Sequence, residues 1–254
     1  MSAKKYLPYL LAILSFVIVS LAYFYPVLEG KELFQSDIAQ FRGMASEVRE
    51  FREQNGGEPY WTNRAFGGMP TYQLSTYYPH DYIKKLDGLL RFLPRPADYL
   101  FLYFFSFFIL LRVLRTEWKT AVIGALGFGL STYLIIILGV GHNAKAHAIA
   151  YMPLVLAGIL WVFQGRYLQG FTLTAVAMAL EINASHPQMT YYLLFSVLIF
   201  GVVQMIEAWR KKGLPLFFKK VGILLGAVIL SIGVNSTSLM ATREYAAQST
   251  RSAS

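Results

Sequence analysis

The chain has 254 residues, of which 56% are hydrophobic and only 15% charged, where a soluble domain carries about a quarter charged residues. The apolar residues fall in blocks near the ~20 needed to cross a bilayer, not in helical stripes, which excludes a soluble helical bundle. The net charge of +9 is spread between those blocks and forms no single basic domain, so no nucleic-acid partner is expected. There is no Cys, which excludes disulfides and thiolate catalysis.

The first apolar block, residues 6–28, follows Lys4 and Lys5 and leaves through Tyr23, Phe24, Tyr25 and Pro26. It is longer than a signal-peptide core, and those aromatics resemble an interfacial belt. A retained helix is expected. Further blocks cover residues 98–113, 120–140, 146–163, 171–184, 188–206 and 221–240. The reading is an all-α polytopic membrane protein of about seven transmembrane helices, forming one membrane domain over 1–254.

Lys and Arg alternate between the short loops. Arg112, Arg115 and Lys119, then Arg166, then Arg210, Lys211, Lys212, Lys219 and Lys220 mark one side; the other short loops hold only Lys145. Positive loops stay in the cytoplasm. The N-terminus is therefore expected inside and the C-terminus outside, with residues 29–97 forming a long first outer loop.

That loop is too long for a plain connection. Phe41, Met44, Ala45, Val48 and Phe51 recur at helical spacing among charged residues, predicting an amphipathic helix ended by Asn55-Gly56-Gly57. Phe66-Gly67-Gly68-Met69-Pro70 predicts a turn. Ile83, Leu86, Leu89, Leu90 and Leu93 predict a second amphipathic stretch.

Polar residues collect on the outer side. Gly141-His142-Asn143-Ala144-Lys145-Ala146-His147 follows the third block and Asn183-Ala184-Ser185-His186-Pro187-Gln188 the fifth; the long loop adds Gln35-Ser36-Asp37-Ile38-Ala39-Gln40. Each residue alone reads as an interfacial loop or cap. Three such segments together predict a shared outer cleft, because polar groups at membrane depth face a bundle interior or water. His142 and His147, five apart, fall on different faces of a continuous helix, so they make a poor metal pair. Lys145 either snorkels to the interface or meets a phosphate. Arg64, Lys84, Lys85 and Arg91 read as solvated charges that are also available to a phosphate.

The segments residues 35–44, Trp61-Thr62-Asn63, Phe66-Gly67-Gly68-Met69-Pro70-Thr71-Tyr72-Gln73, Gly141-His142-Asn143-Ala144-Lys145 and Asn183-Ala184-Ser185-His186-Pro187-Gln188 together resemble the N-terminal part of the bacterial YfhO-family membrane proteins. That family is similar in architecture to GT-C glycosyltransferases, which take a sugar from a polyprenyl-phosphate carrier at the outer membrane face. The resemblance implies a multi-pass protein of the bacterial inner membrane and a chain that corresponds to the first part of a longer protein. It implies a polyprenyl-phosphate-linked sugar donor and an acceptor that is a cell-envelope glycopolymer or lipid. Asp37 matches the acidic position expected soon after the first helix, as general base. The outer loop holds no Asp-x-Asp pair, so metal dependence stays open and no cofactor is assigned. Within this reading His142, Lys145 and His186 meet the carrier phosphate. Asn143, Asn183 and Gln188 bond sugar hydroxyls, and Trp61 or Tyr72 stacks on a sugar face. The alternatives are a transporter or flippase for a lipid-linked or polar solute, and a non-catalytic envelope-assembly protein.

Overall fold

A computed structural model describes residues 6–76 and 78–248; Lys4, Lys5 and the C-terminal residues 251–254 lie outside them. The described chain is helical apart from one small hairpin. In order come α1 (Leu7–Tyr23), α2 (Ser36–Met44), α3 (Ser46–Asn55), β1 (Trp61–Thr62), β2 (Met69–Pro70), α4 (Tyr82–Leu90), α5 (Ala97–Val113), α6 (Trp118–Gly129), α7 (Thr132–Val140), α8 (Asn143–Phe163), α9 (Tyr167–Asn183), α10 (Pro187–Arg210), α11 (Leu214–Val234) and α12 (Ser236–Ala247).

Helices α5 and α8 form the centre. α5 packs against α1, α6 and α8; α8 packs most closely on α9, and α11 packs mainly on α9 and also touches α8. Small residues allow the α8–α9 approach. A Cβ at Gly158 would stand 2.6 Å from the backbone nitrogen of Thr174, and one at Gly170 would stand 2.6 Å from that of Val162. Without a hydrophobic force between helices in lipid, such close backbone contact supplies the packing. Larger side chains fill the other seam, where Phe16 of α1 meets Phe104 and Phe108 of α5 at 5.6 Å between centroids.

Among the described residues three helices, α8, α10 and α11, are long and apolar enough to cross a membrane, and the α6–α7 pair makes a fourth if taken as one broken span. α8 is mostly buried within the bundle, whereas α10 and α11 are apolar but mostly exposed. Leu194, Phe195, Leu198, Ile199, Val202 and Val203 of α10 are each about half exposed or more. A surface of that size is unstable against water and stable against lipid tails. The protein is a membrane protein. α1, α5 and α9 have 17 residues each, a rise of about 25 Å against a hydrocarbon core of about 30 Å.

Three expected elements differ. The block at 120–140 is not one straight helix: α6 ends at Gly129, Ser131 begins α7 in an extended conformation, and the two axes bend by 49°. The block at 221–240 ends at Asn235, whose amide donates to the Ala179 carbonyl of α9 at 3.0 Å and to the Ser231 carbonyl, and α12 starts after it. The amphipathic helix around Phe41–Phe51 is two helices that meet at Ala45; Ala45 and Val48 are buried while Phe41 and Phe51 stay partly exposed.

Beyond α3, which stops at Gly56 in the left-handed region, the chain forms the β1–β2 hairpin with Trp61 opposite Pro70 and Thr62 opposite Met69. Phe66, Gly67 and Gly68 all have positive φ at its tip. The Trp61 ring lies over Gly68, where a Cβ would stand 2.7 Å away. The Glu47 carboxylate fastens the hairpin to α3, accepting from the Thr62 hydroxyl at 2.6 Å and the Asn63 backbone N–H at 2.8 Å.

Candidate functional site

The segment between α1 and α2 is pinned to the end of the broken helix. Gln35 Nε2 donates to the Leu138 carbonyl of α7 at 2.6 Å, occupying one of the carbonyls that a helix C-terminus leaves open. Gly141 ends α7 with φ +89°, and a Cβ there would stand 2.8 Å from Gln35 Cβ. Only glycine satisfies both the conformation and the contact. The chain then turns through His142 into α8, so the first turn of α2 lies against the first turn of α8.

Asp37, in that first turn of α2, has Oδ2 2.5 Å from Nδ1 of His142. Both side chains are nearly half exposed. They open on a cleft of about 450 Å³ lined also by Ile38, Phe41, Gly141, Asn143, Ala144, Lys145 and His186. The Lys145 ammonium lies 5.0 Å from the centroid of the Tyr133 ring. His186 precedes α10; burial first, and then the charge of Lys145, hold its imidazole below the ordinary histidine value. Two polar atoms in this wall, Asn143 Oδ1 and His186 Nδ1, are buried with no hydrogen-bond partner among the described residues.

Five residues singled out from sequence therefore meet in one place: Asp37, His142, Asn143, Lys145 and His186. Four others are not in the cleft lining. Asn183 Nδ2 donates to Asp81 Oδ2 at 3.2 Å and Asn235 Oδ1 at 3.3 Å, tying α9 to the start of α4 and the end of α11. Gln188 donates to the Tyr192 hydroxyl one turn along α10. Trp61 sits in the hairpin, its indole N–H bonded to Asn63, and Tyr72 lies in a short 3-10 turn just after β2.

The chain matches no family model, no curated protein and no solved structure. Among the described residues no group of three or more His, Cys, Asp or Glu is arranged to hold a metal ion.

A second polar cluster, not expected from the sequence, surrounds Asp87. Arg91, expected as a solvated charge, is mostly buried instead and holds Asp87 at 2.7 Å and Asp98 at 2.8 Å. Asp87 Oδ1 also accepts from the Tyr151 hydroxyl and contacts His147 Nε2, both on α8. Burial raises the Asp87 carboxyl, but the hydrogen bonds and charges of His147 and Arg91 outweigh it and hold the group well below the usual carboxylate range. The signal was present in the pattern. On α4, Asp87 falls on the apolar face between Ile83 and Leu90, where a carboxylate is retained only with partners. Glu181 on α9 is likewise fully buried, with Thr190 of α10 donating to it at 2.9 Å.

Proposed function

We propose that the chain is a multi-pass glycosyltransferase of the bacterial inner membrane, similar to the YfhO family and GT-C-like in architecture. It moves a sugar from a polyprenyl-phosphate-linked donor to a cell-envelope glycopolymer or lipid at the outer face. The observation that carries this reading is the convergence of Asp37, His142, Lys145 and His186 on one cleft. A carboxylate–imidazole pair handles the proton that an acceptor hydroxyl must lose. A neighbouring ammonium stabilises the negative charge that develops on a departing phosphate. The unpartnered Asn143 and His186 atoms are suited to the polar groups of a sugar phosphate.

In this reading the seven apolar segments, α1, α5, α6–α7, α8, α9, α10 and α11, all cross the bilayer, the shorter ones by tilting or thinning it locally. The N-terminus is then cytoplasmic, and the cleft and C-terminus lie outside.

A second reading is a transporter of the same lipid-linked solute. The 49° break between α6 and α7 favours it, because transport sites are commonly built on interrupted helices. Proteoliposomes loaded with a polyprenyl-phosphate-linked radiolabelled sugar separate the two. The transferase reading expects label to leave the lipid carrier and appear on acceptor. Translocation of intact donor with no transfer overturns it in favour of transport.

A further inference from the structure

Asp37 and His142 stand too close to be two independent residues. The contact joins Asp37 Oδ2 to Nδ1 of the imidazole at 2.5 Å. A negative carboxylate oxygen that close to Nδ1 favours the proton of the neutral ring on Nδ1 over a bare nitrogen there. The lone pair is then on Nε2, for which no hydrogen bond or ion pair exists among the described residues. His142 borders the open cleft and is half exposed. An exposed carboxylate by itself is a weak base at neutral pH.

We infer that His142 Nε2 is the atom that accepts the acceptor's proton, and that Asp37 is a positioning residue that fixes the tautomer of the ring and balances its charge. This rests on the transferase reading. As the acceptor oxygen bonds to the anomeric carbon, its proton passes to Nε2. The bond from that carbon to the carrier phosphate breaks, and its electron pair leaves on the phosphate oxygen. The imidazolium so formed is balanced by the carboxylate of Asp37 at 2.5 Å. It returns its proton to water or to the released phosphate. The same pairing of an imidazole base with an orienting carboxylate serves nucleophile activation elsewhere. Here it lies at the meeting of two helix N-terminal turns, α2 and α8, held together by Gln35 and Gly141.

Two measurements on the intact chain test the inference. The first is the tautomer, read from ring-nitrogen shifts in protein labelled at its four histidines and held in micelles. The His142 ring is expected in the Nδ1–H form and shifts toward Nε2–H in Asp37→Asn. An unchanged ring in that variant overturns Asp37 as the positioning residue. The second is transfer from a polyprenyl-phosphate sugar donor by His142→Gly at unchanged thermal stability. Turnover is expected to fall at least about a hundredfold with little change in donor KM. Added imidazoles should restore it in proportion to their basicity, a dependence that a purely structural role does not produce. If wild-type protein transfers sugar and His142→Gly stays within a few fold of it, the base assignment fails alone. If wild-type protein transfers nothing, the parent reading fails with it.

Discussion

The hydroxyl of Tyr151, in the middle of α8, donates a 2.7 Å hydrogen bond to Asp87 on α4, 64 residues earlier in the chain. Arg91 closes the other side of the same carboxylate and reaches on to Asp98 at the start of α5. One buried carboxylate thus fastens the end of the long loop to both central helices. Asp87→Ala leaves Arg91 with half its partners and is expected to cost about 3–5 kcal/mol. Tyr151→Phe removes one hydrogen bond and should cost about 1–3 kcal/mol. Unfolding in detergent monitored by circular dichroism checks the ranking, and equal small effects would make the cluster a bystander.

Because the Asp87 carboxyl is held well below its ordinary range, it titrates lower in the folded protein than in the unfolded chain. Its contribution is fully present above the unfolded value, about 3.9, and is lost as pH falls below that toward the folded value. The gap in Tm between wild type and Asp87→Asn should therefore stay constant from neutral pH down to about 4 and close only in stronger acid. A gap that closes between pH 7 and 5 would mean that another group controls the cluster.

Gly141 carries the contact between the long loop and α8. Alanine there meets both a left-handed φ of +89° and Gln35 Cβ at 2.8 Å, and backbone strain of this kind costs about 1–3 kcal/mol. The expected result of Gly141→Ala is a folded protein whose α2 segment is cut faster by limited proteolysis. Unaltered cleavage would show that the loop seats itself without Gln35.

The cleft was legible in the sequence because its residues lie in short polar runs at the ends of apolar blocks, where only a few positions are available. The network around Asp87 was not, because its members come from α4, α5 and α8 and each looked ordinary alone. Arg91 read as solvated since no spacing rule connects it to Asp98 across a turn containing Pro94 and Pro96. The break at Leu130–Ser131 was hidden by uniform hydropathy; Gly127 and Gly129 beside a serine N-cap were its only marks. Asn183 read as a cleft residue from its place beside His186, yet helix geometry turns it toward Asn235 and Asp81.

The lopsided distribution of Lys and Arg predicts that residues near 212 are cytoplasmic and the loop near 57 is outside. With no native Cys, Gly57→Cys and Lys212→Cys can be compared directly with an impermeant thiol reagent on intact cells. Position 57 should label and position 212 should not. The reverse pattern would put the cleft on the wrong face for an outer-leaflet donor.

Lys145 lines the cleft, whereas Lys84 lies in the first turn of α4 on the loop. Lys145→Ala should weaken binding of a polyprenyl phosphate by about 1.5–3 kcal/mol, the worth of a charge-assisted contact. Lys84→Ala should change it by well under about 1 kcal/mol. Equal effects in a fluorescence titration would return Lys145 to a snorkelling role over Tyr133.

The most direct test of the transferase account is single-turnover sugar transfer by Asp37→Asn, measured beside its donor affinity and thermal stability. Asparagine keeps the shape of Asp37 but loses the charge facing His142. If Asp37 merely supported the first turn of α2, asparagine would serve nearly as well, at a few tenths of a kcal/mol. If Asp37 serves the base, donor binding and Tm should stay unchanged while transfer falls about a hundredfold or more. Transfer within a few fold of wild type would contradict it.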